Sequence, residues 1–377
     1  MFYRLVRGFI VPVFVTALVA VPQQALAGTP TCKGKRATMV GTRGDDRLTA
    51  TKGRDVIVAR DGADRILNIG ADDLVCAGPG RDTSERYGRV YGGPGNDHLS
   101  NAGYVYGGPG DDLLDGGGRV YGGGGNDHLI GNAGYSFNPY ADYGSDALHG
   151  GLGNDRIVGV TSSDENGDHE DYASYSDATN SVRIDVRANV ATGWGRDTFR
   201  NIDEYHGSIY DDVLLGGGDG ETFRGFRGDD LIRGRGTGDW IWGDDGNDTL
   251  IGGGGDDRFE GAGGAGNDLI EGGRGRELLD LRGSPAVEVN LRRGTISGQG
   301  DDEIRGVEDV WGSARDDVII GTGGRNNLLG YIGADRILGR GGNDTLNGYD
   351  GRDYLDGGTG DDWCRGERRV RCERPVD

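Results

Sequence analysis

The sequence predicts an all-β solenoid, and three observations predict it. A nine-residue unit, GGxGxDxUx, with Asp sixth and an apolar residue (U) eighth, recurs along the chain. GDDGNDTLI from Gly243 runs into GGGGDDRFE from Gly252, and GRGGNDTLN from Gly339 runs into GYDGRDYLD from Gly348 and GGTGDDWCR from Gly357. Glycine supplies 78 of 377 residues while apolar residues make up only 34%. That is too lean for a thick core in a chain this long but suits a stack that grows rung by rung. The formal charge is −21, from 62 acids against 41 bases, and the excess acid sits inside the repeat.

Residues 1–27 read as a secretory signal. Arg4 and Arg7 precede an apolar run from Phe9 to Val21, and Ala25-Leu26-Ala27 offers a small-residue cleavage site, so the exported chain is expected to begin at Gly28. The run is shorter than a membrane span requires. Four cysteines suit an oxidising, extracellular location. Cys32 and Cys76 lie at the beginning of the array and Cys364 and Cys372 at its end. Pairing within each couple would staple both terminal rungs, although three pairings are formally open.

The repeat block at 28–160 opens with Asp46, Asp55, Asp64, Asp73 and Asp82, nine residues apart, with apolar Leu48, Ile57, Ile66 and Val75 at the eighth positions. In a three-residue strand only the middle side chain points inward, so each unit reads as a Gly turn plus a short strand of a thin two-sheet stack. Two units make one coil. That places Asp46, Asp64 and Asp82 along one edge and Asp55 and Asp73 along the other. The period then becomes fifteen, in YGGPGNDHLSNAGYV from Tyr91 and its successors from Tyr106 and Tyr121. Here the acidic turn is expected on one edge only, through Asp82, Asp97, Asp112 and Asp127. Asp146 and Asp155 resume the nine-residue step.

Further blocks follow at 212–277 (Asp212, Asp230, Asp239, Asp248, Asp257, Asp268) and 317–377 (Asp317, Asp335, Asp344, Asp353, Asp362). Glu221, Glu277 and Asn326 depart from the pattern and should weaken their sites. Between blocks lie 161–211 and 278–316. Val182–Asp212 aligns without a gap on Val287–Asp317 at an offset of 105, an internal duplication expected to form wider rungs in the same stack. Thr161–Asp171 is polar enough to be an exposed loop.

Stacked carboxylates repel one another, so a counter-charge is required. Carboxylates and backbone carbonyls are hard ligands suited to Ca²⁺, and Gly permits the positive φ that bends successive carbonyls toward one centre. A surface this acidic excludes nucleic acid as a natural partner. No HExxH or GxSxG is present, and His98 and His128 fall two rungs apart, so no catalytic constellation is evident. Tyr91, Tyr106 and Tyr121 should form an outward ladder, serving either as edge packing or as a strip for extracellular polysaccharide or a cell surface. Arg43-Gly44-Asp45 and Arg227-Gly228-Asp229 spell an adhesion tripeptide that the consensus itself generates.

The repeat resembles the haemolysin-type, or RTX, calcium-binding nonapeptide found in secreted bacterial proteins. The resemblance implies a right-handed parallel β-roll with several Ca²⁺ ions held by backbone carbonyls and the sixth-position Asp of adjacent same-edge turns. The function it implies is a secreted, non-enzymatic calcium-binding roll whose folding is coupled to the ion. A polysaccharide-binding module, or an enzyme acting on acidic glycans, are the other readings of the same scaffold.

Overall fold

A computed structural model describes residues 29–131, 146–160, 171–260, 264–298 and 300–372. The expected signal at 1–27 and nearly all of the expected loop at 161–171 lie outside them. Among the described residues the structure is strands and turns, with a single 3-10 turn at Val186–Ala188.

Outside the N-terminal hairpin and the two duplicated segments, strands pair in parallel with the strand one coil further on. In the first block Arg47–Thr49 pairs with Arg65–Ile69 and Val56–Val58 with Leu74–Cys76, an offset of eighteen residues that makes two nonapeptides one coil. In the second block the offset falls to fifteen: His98 faces Leu113 and Leu113 faces His128. The two His are therefore two rungs apart, as the period required.

Middle residues of the strands carry the core. Ile57, Ile66, Val75, Leu99, Leu114, Ile232, Leu250, Leu346 and Leu355 are wholly buried. Each such side chain contributes about 2 kcal/mol by leaving water. Leu48, near the first rung, is only partly buried because fewer neighbours cover it. Near the first inserted segment the core widens, and Tyr205 stacks on Phe223 at 5.8 Å while Phe199 meets Tyr205 edge-on.

The two duplicated segments depart from a simple wider rung. Arg183–Asp185, Val190–Thr192 and Arg196–Arg200 form an antiparallel meander within one sheet, and Glu288–Asn290, Thr295–Ser297 and Asp301–Arg305 repeat it. Asn189 (φ 53°) and Gly294 (φ 73°) adopt the left-handed conformation that reverses the chain. The opposite sheet continues without interruption, from Tyr172–Ser174 through Glu204–His206 to Thr222–Arg227. Sequence alternation had shown the strands, but alternation is the same for parallel and antiparallel neighbours.

Both expected disulfides form, Cys32–Cys76 and Cys364–Cys372. They close loops separated by 44 and 8 residues, which chain entropy values at up to about 4 and about 2.5 kcal/mol. The first holds a hairpin, Thr31–Cys32 with Lys35–Arg36, over the start of the stack.

Candidate metal centre: a ladder of buried carboxylates

The sixth-position acids form continuous ladders along the edges of the stack. The backbone N–H of each donates to Oδ1 of the acid one coil further on: Asp46 to Asp64, Asp64 to Asp82, and so through Asp97, Asp112, Asp127 and Asp155, at 2.7–2.8 Å. The other blocks repeat the arrangement through Asp212, Asp230, Asp248 and Asp268, and through Asp317, Asp335 and Asp353. The opposite edge carries Asp55 with Asp73, Glu221 with Asp239 and Asp257, and Asn326 with Asp344 and Asp362.

In the fifteen-residue block that opposite edge has no acid. Gly88, Gly103 and Gly118 lie in register there, and the Gly118 N–H donates to Asp146 where the acid resumes.

The ladder runs further than the expected residues. The Asp155 N–H donates to Asp197, Asp268 to Asp302 and Asp146 to Asp171, so the segments between blocks keep the rail intact. Asp197 and Asp302 had a legible signal, GWGRDTF from Gly193 and GQGDDEI from Gly298, which carry the GxGxDxU spacing at the end of each meander. Asp171 has no such signature. A second, exposed rail runs through the fifth position, where Asp or Asn accepts from the next coil, as Asp111 does from the Asn126 N–H. Asp45 and Asp229 of the two adhesion-like tripeptides serve this rail.

The turns are packed too closely for side chains. A Cβ on Gly95 (φ 140°) would fall 1.5 Å from the Gly80 carbonyl oxygen, and one on Gly92 would fall 2.2 Å from Asp97 Oδ2. The second carboxylate oxygen therefore tucks beneath its own turn.

What happens to that second oxygen divides the turns into two kinds. Among the described residues, Oδ2 is buried without a hydrogen-bond partner in fourteen of them: Asp64, Asp82, Asp97, Asp112, Asp127, Asp155, Asp230, Asp239, Asp248, Asp257, Asp335, Asp344, Asp353 and Asp362. In every one the second residue of the unit, four before the Asp, has positive φ, from 63° at Tyr349 to 125° at Gly108. Its N–H is spent away from the carboxylate, as Gly93 N–H is on the Gly107 carbonyl and Arg235 N–H on the Gly252 carbonyl of the next coil, and Tyr349 N–H on Asn347 Oδ1.

In the other kind the second residue is Ser or Thr without positive φ. Ser313 donates its N–H to Asp317 Oδ2 at 2.6 Å and its hydroxyl to Oδ1 at 2.9 Å. Thr42 caps Asp46, Thr51 caps Asp55, Ser208 caps Asp212 and Thr322 caps Asn326. These capped turns open the first repeats and reopen the repeat after each meander. Elsewhere Asp73 accepts from the Gly70 N–H, and Asp197 accepts the Tyr175 hydroxyl at 2.7 Å.

Burial acts upward in both kinds of turn, on capped Asp212 and Asp317 as well as on open ones. Burial, followed by repulsion from neighbouring acids, pushes Asp112 and Asp230 up to about 8 and Asp82 and Asp335 up to about 7. Two unit charges one strand spacing apart, about 4.8 Å, repel by roughly 3 kcal/mol at an effective dielectric constant of 20. For Asp55 burial also acts upward, but hydrogen bonds from Thr51 and Thr38 outweigh it and its carboxyl lies below the ordinary value.

The donor set fits a hard divalent cation. Among the described residues no three acidic, His or Cys side chains converge on one point, so an ion here must complete its shell with backbone carbonyls. Orphaned Oδ2 atoms beside Gly carbonyls supply that combination. Glu221 and Glu277 each keep one orphaned oxygen on a longer side chain, while Asn326 turns its amide to the Glu308 carbonyl at 2.7 Å.

The tyrosine ladder is present and closes on itself. Tyr104 lies between Tyr91 at 5.7 Å and Tyr121 at 5.3 Å, Tyr106 packs on the same two rings at 6.1 and 6.3 Å, Tyr121 stacks on His149 at 4.2 Å, and the Lys33 ammonium sits 4.0 Å over Tyr91.

Comparison with curated proteins finds no match. A family model, the RTX calcium-binding nonapeptide repeat, matches residues 40–67, 104–118, 119–137, 140–160, 224–259, 261–282, 311–346 and 329–364, together just over half the chain. With its stacked parallel coils, Gly turns and aspartate rails, the chain belongs to the family of RTX calcium-binding nonapeptide repeat proteins.

Proposed function

We propose that this is an exported, non-catalytic calcium-binding roll that folds as Ca²⁺ fills its open turns. The observation that carries the reading is the set of fourteen buried, unpartnered Oδ2 atoms. A buried acceptor left without a donor costs about 1–3 kcal/mol, and an unpaired buried charge more. The open-turn aspartates and neighbouring backbone carbonyls would hold the ion, whose double positive charge removes the repulsion along each rail. Binding energy then becomes folding energy.

Among the expected ligands, Asp64, Asp82, Asp97, Asp112, Asp127, Asp155, Asp230, Asp239, Asp248, Asp257, Asp335, Asp344, Asp353 and Asp362 are the sites this reading favours. Asp46, Asp55, Asp212 and Asp317 are turns that close with protein donors alone. Export is supported by the signal-like segment 1–27 and by two disulfides, which suit an oxidising compartment. Sites of extracellular affinity, about 10⁻⁴ to 10⁻³ M, would fill after export. The absence of a catalytic role is supported by the engagement of the acids in the rails.

Far-UV circular dichroism of the chain from Gly28 during calcium titration tests this. The β signal should grow cooperatively with calcium, and a signal already complete at pH 7 in excess chelator would defeat the proposal.

A further inference from the structure

A second surface is built from outward-facing side chains that the carboxylate turns do not use. On the uninterrupted sheet, between the two meanders, the third residues of successive strands lie side by side. Arg224 faces Trp242, Trp242 faces Glu260, and Glu260 faces Asp280. They line a groove of about 780 Å³ together with Ser176, Ile209, Gly283 and Ser284. Trp240, two residues before Trp242 on the same strand, is 49% exposed.

Beyond the groove an aromatic and guanidinium spine follows the axis of the stack. The Arg258 guanidinium lies over Trp240 and Trp311, at 4.8 and 5.2 Å, and Arg282 lies over Trp311 and Tyr331, at 4.8 and 5.7 Å. Tyr331 stacks on Tyr349 at 5.2 Å.

The charges along this face are closed among themselves. Arg224 pairs with Asp244 at 2.5 Å, Arg227 with Asp245 at 3.8 Å, Arg282 with Asp280 at 2.7 Å, and Arg258 with both Glu260 and Asp280.

We propose that this groove binds a neutral oligosaccharide lying along the solenoid axis. The Trp242 indole, which lines the groove, offers flat apolar area for the C–H face of a pyranose ring. The paired carboxylates and guanidiniums offer acceptors and donors already fixed in place, so sugar hydroxyls meet them without reorganisation. Because each Arg is paired and the protein carries −21 overall, a polyanion finds repulsion here in place of attraction. Strands recur every 4.7–4.9 Å, close to the rise of an extended β-linked hexose chain, so successive sugars meet successive rungs. The tyrosine ladder offers less, since its rings already pack on one another and Lys33 covers one end. The proposal goes beyond calcium binding and needs the ion only to keep the rungs in register.

The test is tryptophan fluorescence and calorimetry of the calcium-saturated protein with cellohexaose and xylohexaose as neutral probes and hexagalacturonate as the anionic one. A neutral probe should bind at millimolar or lower concentration. Trp242→Ala should weaken it at least tenfold without moving the calcium midpoint of the circular dichroism, Trp242→Phe should retain most of the affinity, and Tyr106→Ala should change nothing. No binding of either neutral probe at millimolar concentration overturns the proposal. So does binding that survives Trp242→Ala, or a preference for hexagalacturonate.

Discussion

In the turn around Asp112 the second residue, Gly108, is left-handed and Asp112 Oδ2 has no protein donor; in the turn around Asp317 the second residue is Ser313, and its N–H and hydroxyl grip the carboxylate. Both turns sit on the same kind of rail, and both carry Asp at the sixth place. The difference is one backbone dihedral and one hydroxyl. It teaches that the consensus aspartate alone does not fix the state of its carboxylate; in these two turns the residue four positions before it makes the difference, whereas Asp197, which follows left-handed Gly193, is closed by the Tyr175 hydroxyl. Closed turns stand where the stack begins and where it restarts after each meander, positions that lack a regular neighbour on one side.

Four changes would break or sharpen this contrast. The largest effect is expected from removing an open-turn acid in mid-rail. Asp112→Ala deletes a proposed cation ligand and the acceptor for the Asp97 N–H together, and should raise the calcium needed for half-folding at least tenfold, or cost about 2–4 kcal/mol at fixed calcium. Circular dichroism titration measures it. The same change at Asp46, whose turn Thr42 already caps, should move the calcium midpoint far less.

Next is the opening of a closed turn. Ser313→Gly removes the hydroxyl bond to Asp317 and frees the second residue to invert, so stability in chelator should fall by about 1–2 kcal/mol while stability in saturating calcium changes little. Urea unfolding under the two conditions separates these outcomes.

The converse substitution, Tyr331→Ser in the Asp335 turn, should close an open site. Tyr331 holds φ 70°, a conformation that costs a non-glycine residue about 1–2 kcal/mol. Relieving it while adding a donor should make the chelated protein more stable by about 1 kcal/mol and lower the number of bound calcium ions, read by equilibrium dialysis.

The smallest effect is the response of the calcium-free protein to pH. Among the open-turn carboxylates, Asp97 at about 6 and Asp112 at about 8 have folded values above the ordinary 3.8. The folded state then binds more protons than the unfolded one across that window. Stability in chelator is therefore greatest below the unfolded value and is lost as pH rises through 6 to 8. Asp55 works oppositely, because its lowered value makes its contribution present above the ordinary carboxylate range and lost as pH falls through the folded value. In chelator, acidifying from pH 8 to 5 should recover β signal; in calcium, the same change should release the ion.

Much of the architecture was legible because the repeat is strict. A nine-residue beat with one apolar residue per unit dictates a three-residue strand with one inward side chain, and Ile57, Ile66 and Val75 sit buried as that arithmetic requires. The fifteen-residue step showed which edge loses its acids. The paired cysteines at the ends followed from the exposure of terminal rungs. The meanders were not legible, since Val182, Ile184 and their copies Val287 and Val289 alternate identically whichever way the neighbouring strand runs. Nor was the division of turns. Arg60, Phe226, Arg235, Asp244, Tyr331, Arg340 and Tyr349 all occupy the second position in a conformation that side-chain identity does not announce, and stacking against the next coil imposes it. Thr42, Thr51, Ser208, Ser313 and Thr322 were visible as departures from Gly, but their role emerges only once the hydroxyl is seen on the carboxylate.

The most direct test is a crystal structure of the calcium-loaded protein with anomalous scattering used to place the ions. Ions are expected beside Oδ2 of the open turns, Asp82, Asp97, Asp112 and Asp127 among them, and not beside the capped oxygens of Asp46, Asp55 or Asp317. Ions distributed equally over both kinds of turn, or none along the rails, would contradict the account.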